Sequence, residues 1–214
     1  LAGYLFHKKV VQLVITDLHW MNKIFLGSWA LKKANAAGFR GHRSLDYFKQ
    51  CYGEDKICFV PQNIWQPESP GPSTQQKRID LLYVGYLADY KNIPAWLETA
   101  ALVKQRLGEL NAVMIGEMPE RDVKNRINRL NLKENIEFTG PVYGQRLKQY
   151  YQEAKVFLLT SFYEGLPMVA LEAMHAGVPV VATDVGDVSD LIKHGKNGCL
   201  TKVGEVEKAA DWVC

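Results

Sequence analysis

The chain has 214 residues, 47% of them hydrophobic and 23% charged, which is typical of a globular protein with one large domain or one and a half ordinary ones. Its net charge of +3 is too small to favour nucleic acid as a partner, and no apolar run is long enough for a membrane span. The four cysteines follow neither zinc-site nor disulfide spacings, so we expect reduced thiols, no metal site and a cytoplasmic location.

The first third of the chain predicts the end of an α/β domain. We expect residues 1–65 to be the incomplete N-terminal domain of a longer enzyme. Gly38 is expected to end the first of two short helices. The predicted elements are an amphipathic helix within residues 1–18, a strand at 23–26, helices at 29–37 and 45–50, and a strand at 57–60.

Basic residues are concentrated in this first part. Residues 1–65 contain nine Lys or Arg but only four Asp or Glu, whereas the remainder is slightly acidic. Such an excess allows peripheral contact with an anionic membrane surface. A solvated basic face explains the same charges without a partner, and we favour that simpler explanation.

A change of composition separates this part from the rest. Residues 66–76 are rich in Pro, Ser and Gln and have little apolar surface to bury, which predicts a linker. We therefore divide the chain into the incomplete N-terminal domain, a linker at 66–78 and a C-terminal domain at 79–214.

Strands and helices alternate regularly in the C-terminal domain. Continuous apolar strands separated by amphipathic helices are typical of βα units, and they predict a Rossmann-like parallel sheet with helices on both faces. The predicted strands are residues 79–84, 112–115, 136–138, 156–159, 178–182 and 199–201. The predicted helices are residues 94–107, 120–130, 145–154, 187–193 and 205–213, with a further short helix between Pro167 and Gly177.

The loops after the strands are expected to form the ligand-binding edge of this sheet. Ligands of parallel α/β sheets bind at the carboxyl ends of the strands. In this sequence those ends are followed by residues 85–91, Gly116, residues 140–143 and residues 161–167. We expect these four segments to lie along one edge.

The segment 161–183 carries the clearest chemical signal. It predicts a tight loop at Gly165, a helix with Pro167 at its first position, and two acids, Glu164 in the loop and Glu172 on the second turn. A helix N-terminus suits a phosphate, and a carboxylate accepts hydrogen bonds from sugar hydroxyls. The segment therefore predicts a site for a phosphorylated ligand rich in hydroxyl groups.

The sequence Glu164-Gly165-Leu166-Pro167, with Glu172 eight positions after the first acid, resembles the E-x7-E signature of retaining glycosyltransferases of family 4. The resemblance implies the GT-B fold, in which two Rossmann-like domains face each other across a cleft. It implies that the C-terminal domain holds a nucleotide-sugar donor and the N-terminal domain holds the acceptor. Supporting matches are Tyr83-Val84-Gly85 with Lys91-Asn92, Phe138-Thr139-Gly140-Pro141-Val142, and Gly195-Lys196-Asn197-Gly198.

The resemblance also assigns roles to individual residues. It implies that Glu164 faces hydroxyls of the transferred sugar, that Lys91 neutralises the diphosphate, and that Glu172 faces the ribose. Glu164 and Lys91 are the expected catalytic residues, and no metal or other cofactor is required if Lys91 and the helix dipole carry the phosphates. The full set expected to bind the donor is Gly85, Tyr86, Lys91, Gly140, Val142, Glu164, Gly165, Leu166, Pro167 and Glu172.

The implied activity is transfer of a hexose from a nucleoside-diphosphate sugar, with retention, to a hydroxyl of a saccharide or lipid-linked acceptor in glycan biosynthesis. Tyr86 stands where the family usually has Arg, which favours as an alternative a non-catalytic module that binds a nucleoside diphosphate or its sugar. A GT-B-like epimerase is a further alternative. A dehydrogenase is disfavoured, because no GxGxxG motif follows the strand at 79–84.

Overall fold

The computed structural model describes residues 11–14, 36–39, 42–52, 57–59, 76–117 and 121–214. The chain separates into two compact units. The first takes its residues from Leu1–Trp65, Tyr163–Leu166 and Val185–Leu191, and the second from Gln66–Phe162, Pro167–Asp184 and Ile192–Cys214. Most of the expected linker lies outside the described residues, so the proposed domain division stays a prediction.

The first unit contains a small parallel sheet with the strand order β1-β2-β3. The strands are β1 (Val11–Val14), β2 (Ala36–Phe39) and β3 (Ile57–Phe59), and helix α1 (His42–Tyr52) connects β2 to β3. A helical crossover between parallel strands is the usual βαβ arrangement. The described part of residues 1–65 is therefore α/β, as the sequence predicts.

Two predictions for this part were wrong. β1 lies within the segment expected to be an amphipathic helix, and β2 includes Ala36 and Ala37, which were expected to end a helix before Gly38. A four-residue apolar run does not distinguish a strand from a buried helix. Strand pairing in the folded unit also overrides the helix propensity of alanine. The strand predicted at 23–26 and the beginning of the helix at 29–37 fall outside the described residues.

The second unit is built around a six-stranded sheet in which every neighbouring pair is parallel. Its strand order is β6-β5-β4-β7-β8-β9. The six strands predicted from residue 79 onward are confirmed, with small changes of boundary. They are β4 (Ile79–Val84), β5 (Ala112–Ile115), β6 (Ile136–Gly140), β7 (Ala154–Leu159), β8 (Val180–Thr183) and β9 (Gly198–Thr201).

Helices follow the strands along the chain, as predicted. A 3-10 turn at Asp89–Lys91 precedes the first of them. The short helix after β8 is grouped with the first unit. The helices are α2 (Ile93–Leu107), α3 (Arg121–Arg129), α4 (Gly144–Glu153), α5 (Met168–His175), α6 (Val188–Leu191) and α7 (Val206–Val213). Within the described ranges, no helix has the length and apolar character needed to cross a membrane.

Both faces of the large sheet are covered. Alternate strand residues such as Leu81 and Tyr83 form one buried cluster with Trp96 of α2 and Ala210 of α7. On the opposite face, helices α4 and α5 pack on the strands, and the ring of Tyr151 in α4 lies 6.0 Å from that of Phe157 in β7. The expected fold class, a Rossmann-like parallel sheet with helices on both faces, is confirmed.

The loops after β4, β5 and β6 touch through their backbones. The Gly85 N–H donates to the Ile115 carbonyl at 2.9 Å, and the Gly116 N–H donates to the Gly140 carbonyl at 3.2 Å. A Cβ atom at Gly116, whose φ is +155°, would lie only 2.0 Å from the Gly85 carbonyl oxygen. Because no side chain fits there, glycine sets the spacing of these loops at the carboxyl edge.

We expect Gly116→Ala to destabilise the protein by about 1–3 kcal/mol more than Gly108→Ala, because it forces the Gly85 loop away. Gly108 is the matched control, since its φ is also positive (+83°) but a Cβ there meets nothing within 4 Å. Urea unfolding of both variants measures the difference. Equal free energies of unfolding for the two variants would show that the contact does not constrain the loops.

Candidate functional site

The backbone of the loop after β4 accepts a hydrogen bond from a buried tyrosine. Tyr83 is 0% exposed, and its hydroxyl donates to the Tyr86 carbonyl at 2.6 Å. The Tyr83 ring packs edge-on against Trp96, with ring centroids 6.2 Å apart. The Tyr86 side chain, by contrast, is 65% exposed. The backbone of this predicted donor-binding loop is therefore fixed, while the side chain at position 86 is open to substitution.

Lys91 ends the 3-10 turn that leads into α2, and it is 9% exposed. Lysine is seldom buried to this degree without a functional or pairing reason. Its Nζ lies 5.1 Å from the ring centroid of Tyr90, within the range of a cation–π contact. The predicted phosphate-binding cation is thus held at the carboxyl edge of β4 rather than extended into solvent.

The same turn is tied to the end of β7. The Thr160 hydroxyl lies within hydrogen-bond distance of the carbonyls of Lys91 (3.3 Å) and Asn92 (3.0 Å), and the Phe162 N–H donates to the Tyr90 carbonyl at 2.7 Å. These contacts join two segments that lie about 70 residues apart in sequence. The predicted convergence of the β4 and β7 loops is confirmed within the second unit.

Glu164 lies in the loop between β7 and α5, is 8% exposed, and belongs to the first unit. Its carbonyl oxygen would lie 1.7 Å from a Cβ atom at Gly186, whose φ is +52°. The Asp187 N–H donates to the Gly165 carbonyl at 3.3 Å, and Asp187 is 2% exposed. The loop carrying Glu164 is therefore in backbone contact with residues 186 and 187. Gly186 was not among the predicted site residues.

Glu172 lies on α5 in the second unit and is half-buried. Its Oε2 accepts a hydrogen bond from the Tyr151 hydroxyl at 2.9 Å. Burial, and next the negative charge of Glu172, raise the pKa of Tyr151 far above its ordinary value. The tyrosine therefore stays protonated and continues to donate. Tyr151 was not among the predicted site residues, because nothing in the α4 sequence indicates which face of that helix meets Glu172.

The start of α5 differs from the prediction. Pro167 is the N-cap residue, with φ −71° and ψ 111°, and the helix begins at Met168. The Pro167 carbonyl accepts hydrogen bonds from the N–H groups of Ala170 and Leu171. The expected end is confirmed, because Gly177 follows the helix with φ +73°. Proline thus restricts the backbone immediately before the helix instead of occupying its first position.

The remaining predicted site residues are divided between the two units. Gly140 ends β6 with φ +71°, and Val142 after it is 9% exposed. Gly165 and Leu166 follow Glu164 and are partly exposed. Glu164 belongs to one unit and Lys91 to the other. Their joint action on one ligand is accordingly a prediction.

The predicted site residues of the two units are acids, a lysine and backbone groups. Among the residues that the structure describes, no group of three His, Cys, Asp or Glu side chains is arranged to hold a metal ion. A lysine such as Lys91 and the N-terminus of a helix such as α5 are suited to binding anions. Carboxylates such as Glu164 and Glu172 are suited to accepting hydrogen bonds from hydroxyl groups.

Curated relatives share part of this chain. It is 32% identical over 193 residues to the D-inositol 3-phosphate glycosyltransferase of Pseudarthrobacter chlorophenolicus, covering 84% of this chain and 44% of that protein. It is 29% identical over 132 residues to the 2-deoxystreptamine N-acetyl-D-glucosaminyltransferase of Niallia circulans, covering 61% of this chain and 34% of that protein. The chain thus spans less than half the length of either relative.

Solved structures share its fold. The pneumococcal O-GlcNAc transferase GtfA in complex with UDP and GlcNAc superposes with a TM-score of 0.81 and 19% identity, over 99% of this chain and 46% of that one. Anabaena Alr3699/HepE in complex with UDP-glucose superposes with a TM-score of 0.80 and 21% identity, over 99% of this chain and 63% of that one. The likeness shows that this chain has the fold of GT-B glycosyltransferases.

A family model gives the assignment. Residues 66–213, which include the whole six-stranded sheet and all of α2 to α7, match the model described as glycosyl transferases group 1. The match extends over more than half of the chain and contains both acids of the E-x7-E motif. The chain therefore belongs to the group 1 glycosyltransferases.

Proposed function

We propose that this chain carries the donor-binding part of a retaining glycosyltransferase, which transfers a hexose from a nucleoside-diphosphate sugar to an acceptor hydroxyl. The buried Lys91, fastened to the end of β7 at the carboxyl edge of a parallel sheet, is the observation that carries the proposal. That edge is where α/β sheets bind nucleotides. The similar HepE structure is a complex with UDP-glucose, which supports the same class of donor.

Each part of the donor has a candidate partner. Lys91 neutralises the diphosphate, together with the N–H groups around Gly165 and the start of α5. Glu164 accepts hydrogen bonds from the transferred sugar, and Glu172 accepts them from the ribose. The backbone from Gly140 to Val142 lies beside the base. Charge accumulates on the diphosphate as the glycosidic bond breaks, so fixed donors at that position would lower the barrier without a metal.

The acceptor belongs to the N-terminal part of the cleft. We propose a saccharide or lipid-linked acceptor with an available hydroxyl, and the two curated relatives, whose names specify D-inositol 3-phosphate and 2-deoxystreptamine, favour the saccharide-like kind. A lipid-linked acceptor would bring the protein to a membrane surface. The excess of Lys and Arg in residues 1–65 would then favour binding to anionic lipids.

We expect this chain to bind UDP, which is part of the ligand in both similar solved structures. Lys91→Met should weaken UDP binding by about 10- to 100-fold, because a charge-assisted contact to the diphosphate is lost. Isothermal titration calorimetry measures both affinities. Lys124→Met on α3 is the matched control, since Lys124 is an exposed lysine. A chain that responds to none of UDP, GDP and ADP would disprove the donor site.

We expect Gly186→Ala to reduce affinity for UDP-glucose more than affinity for UDP, because a new Cβ would displace the backbone of Glu164. Glu164→Gln should give the same pattern without disturbing the loop. Gly195→Ala is the control, since Gly195 has a φ of +74° but open space around its Cβ position. Comparable losses for the two ligands would place Glu164 away from the transferred sugar.

We expect Tyr86→Arg to strengthen UDP binding by about threefold, since a surface cation adds a modest contact to a phosphate. Tyr86→Phe is the control that keeps the ring without adding charge. Hydrolysis of UDP-glucose, measured in parallel, separates the two candidate functions. The non-catalytic module would be favoured if the wild-type chain binds UDP-glucose without hydrolysing it and only the Tyr86→Arg variant hydrolyses it.

A further inference from the structure

Tyr151 is a buried polar residue that the proposed donor contacts leave unexplained. It lies on α4, is 3% exposed, and packs its ring on Phe157 of β7 with the two planes at 45°. Phenylalanine would fill this space equally well. The hydroxyl is therefore the part of the side chain whose burial needs a reason, because a buried polar group must find a hydrogen-bond partner.

The hydroxyl finds its partners on α5. It lies 2.9 Å from Oε2 of Glu172 and 3.3 Å from the carbonyl oxygen of Val169, one helical turn earlier. A hydroxyl has a single proton to donate, and a carboxylate is the stronger acceptor as well as the nearer one. The proton is thus directed at Glu172, and the raised pKa of Tyr151 keeps it in place.

This bond restricts a side chain that would otherwise be mobile. A half-buried glutamate on a helix surface samples several rotamers, and ordering it has an entropic cost. The helix beneath Glu172 is itself fixed, because Ala170 and Ala173 are both 0% exposed. Tyr151 completes the restraint by fixing Oε2. The second carboxylate oxygen is then presented in a constant direction.

We propose that Tyr151 is a positioning residue that orients the Glu172 carboxylate toward the ribose diol of the bound nucleotide, and this inference rests on the proposed function. Tyr151 itself does not touch the ligand. Its contribution is preorganisation, since a carboxylate already held in the binding geometry loses less conformational freedom when the nucleotide arrives. The contribution should consequently appear only with ligands that have ribose hydroxyls.

The test compares UDP with 2′,3′-dideoxyuridine diphosphate on the full 214-residue chain by calorimetry. We expect Tyr151→Phe to weaken UDP binding about tenfold, and to change binding of the dideoxy nucleotide by less than about twofold. Tyr150→Phe is the matched control, because Tyr150 is the neighbouring tyrosine on the same helix. It should leave both affinities unchanged.

A double-mutant cycle identifies the residue through which Tyr151 acts. In a Glu172→Gln background, Tyr151→Phe should cause at most a small further loss of UDP affinity, because the charged acceptor is already gone. Independent, additive losses would overturn the proposal. So would equal losses for UDP and the dideoxy nucleotide, which indicate a purely structural role for the tyrosine.

The outcomes separate this inference from the proposed function. Failure of the wild-type chain to bind UDP overturns both, whereas UDP binding that is insensitive to Tyr151→Phe overturns only the positioning role. If Tyr151→Phe does not fold, NMR of wild-type protein labelled at tyrosine Cζ replaces it. The Tyr151 signal should not titrate near pH 10, the ordinary pKa of tyrosine, and should respond to UDP but not to the dideoxy nucleotide. Titration near pH 10, or equal responses, overturns the proposal.

Discussion

The parallel pairing of six strands is the constraint on which the candidate donor site depends. Every neighbouring pair in the β6-β5-β4-β7-β8-β9 sheet is parallel, so all the strands end at one edge. This brings the turn that ends at Lys91 and the residues from Thr160 to Phe162 to the same place, although they are far apart in sequence. Helices packed on both faces of the buried apolar strands hold the sheet in place, and the loops are left to carry polar groups.

Close backbone contacts then set the spacing of those loops. Gly116 against Gly85, and Gly186 against Glu164, leave no room for a Cβ atom. Glycine at these positions gives up side-chain packing and allows the backbones to approach, which fixes where neighbouring functional groups lie. Tyr83 and Tyr151 act in a complementary way. Each buries its ring in the core and uses its hydroxyl to hold a polar group of a surface element, namely the Tyr86 carbonyl and the Glu172 carboxylate.

Prediction from sequence was most accurate where hydrophobic burial alone decides structure. The strands Ile79–Val84 and Ala112–Ile115 match their predicted bounds, because continuous apolar runs between amphipathic helices leave few alternatives. It was wrong for Val11–Val14 and Ala36–Phe39, because runs of only four residues do not show from their own pattern that they pair as strands. It also placed Pro167 one position too far into its helix, since cap geometry depends on the incoming loop.

The sequence by itself determined the fold class of the C-terminal part and, through the resemblance carried by the E-x7-E spacing, its family and candidate donor residues. Both rest on local properties, namely periodicity, turn residues and motif spacing, which can be read directly from the order of the residues. Only the tertiary structure decided that Tyr151 holds Glu172, that Thr160 contacts the Lys91 turn, and that Gly186 supports Glu164. Each of these contacts joins residues at least 21 positions apart, and such pairs are specified by how the elements pack rather than by any repeating pattern along the chain.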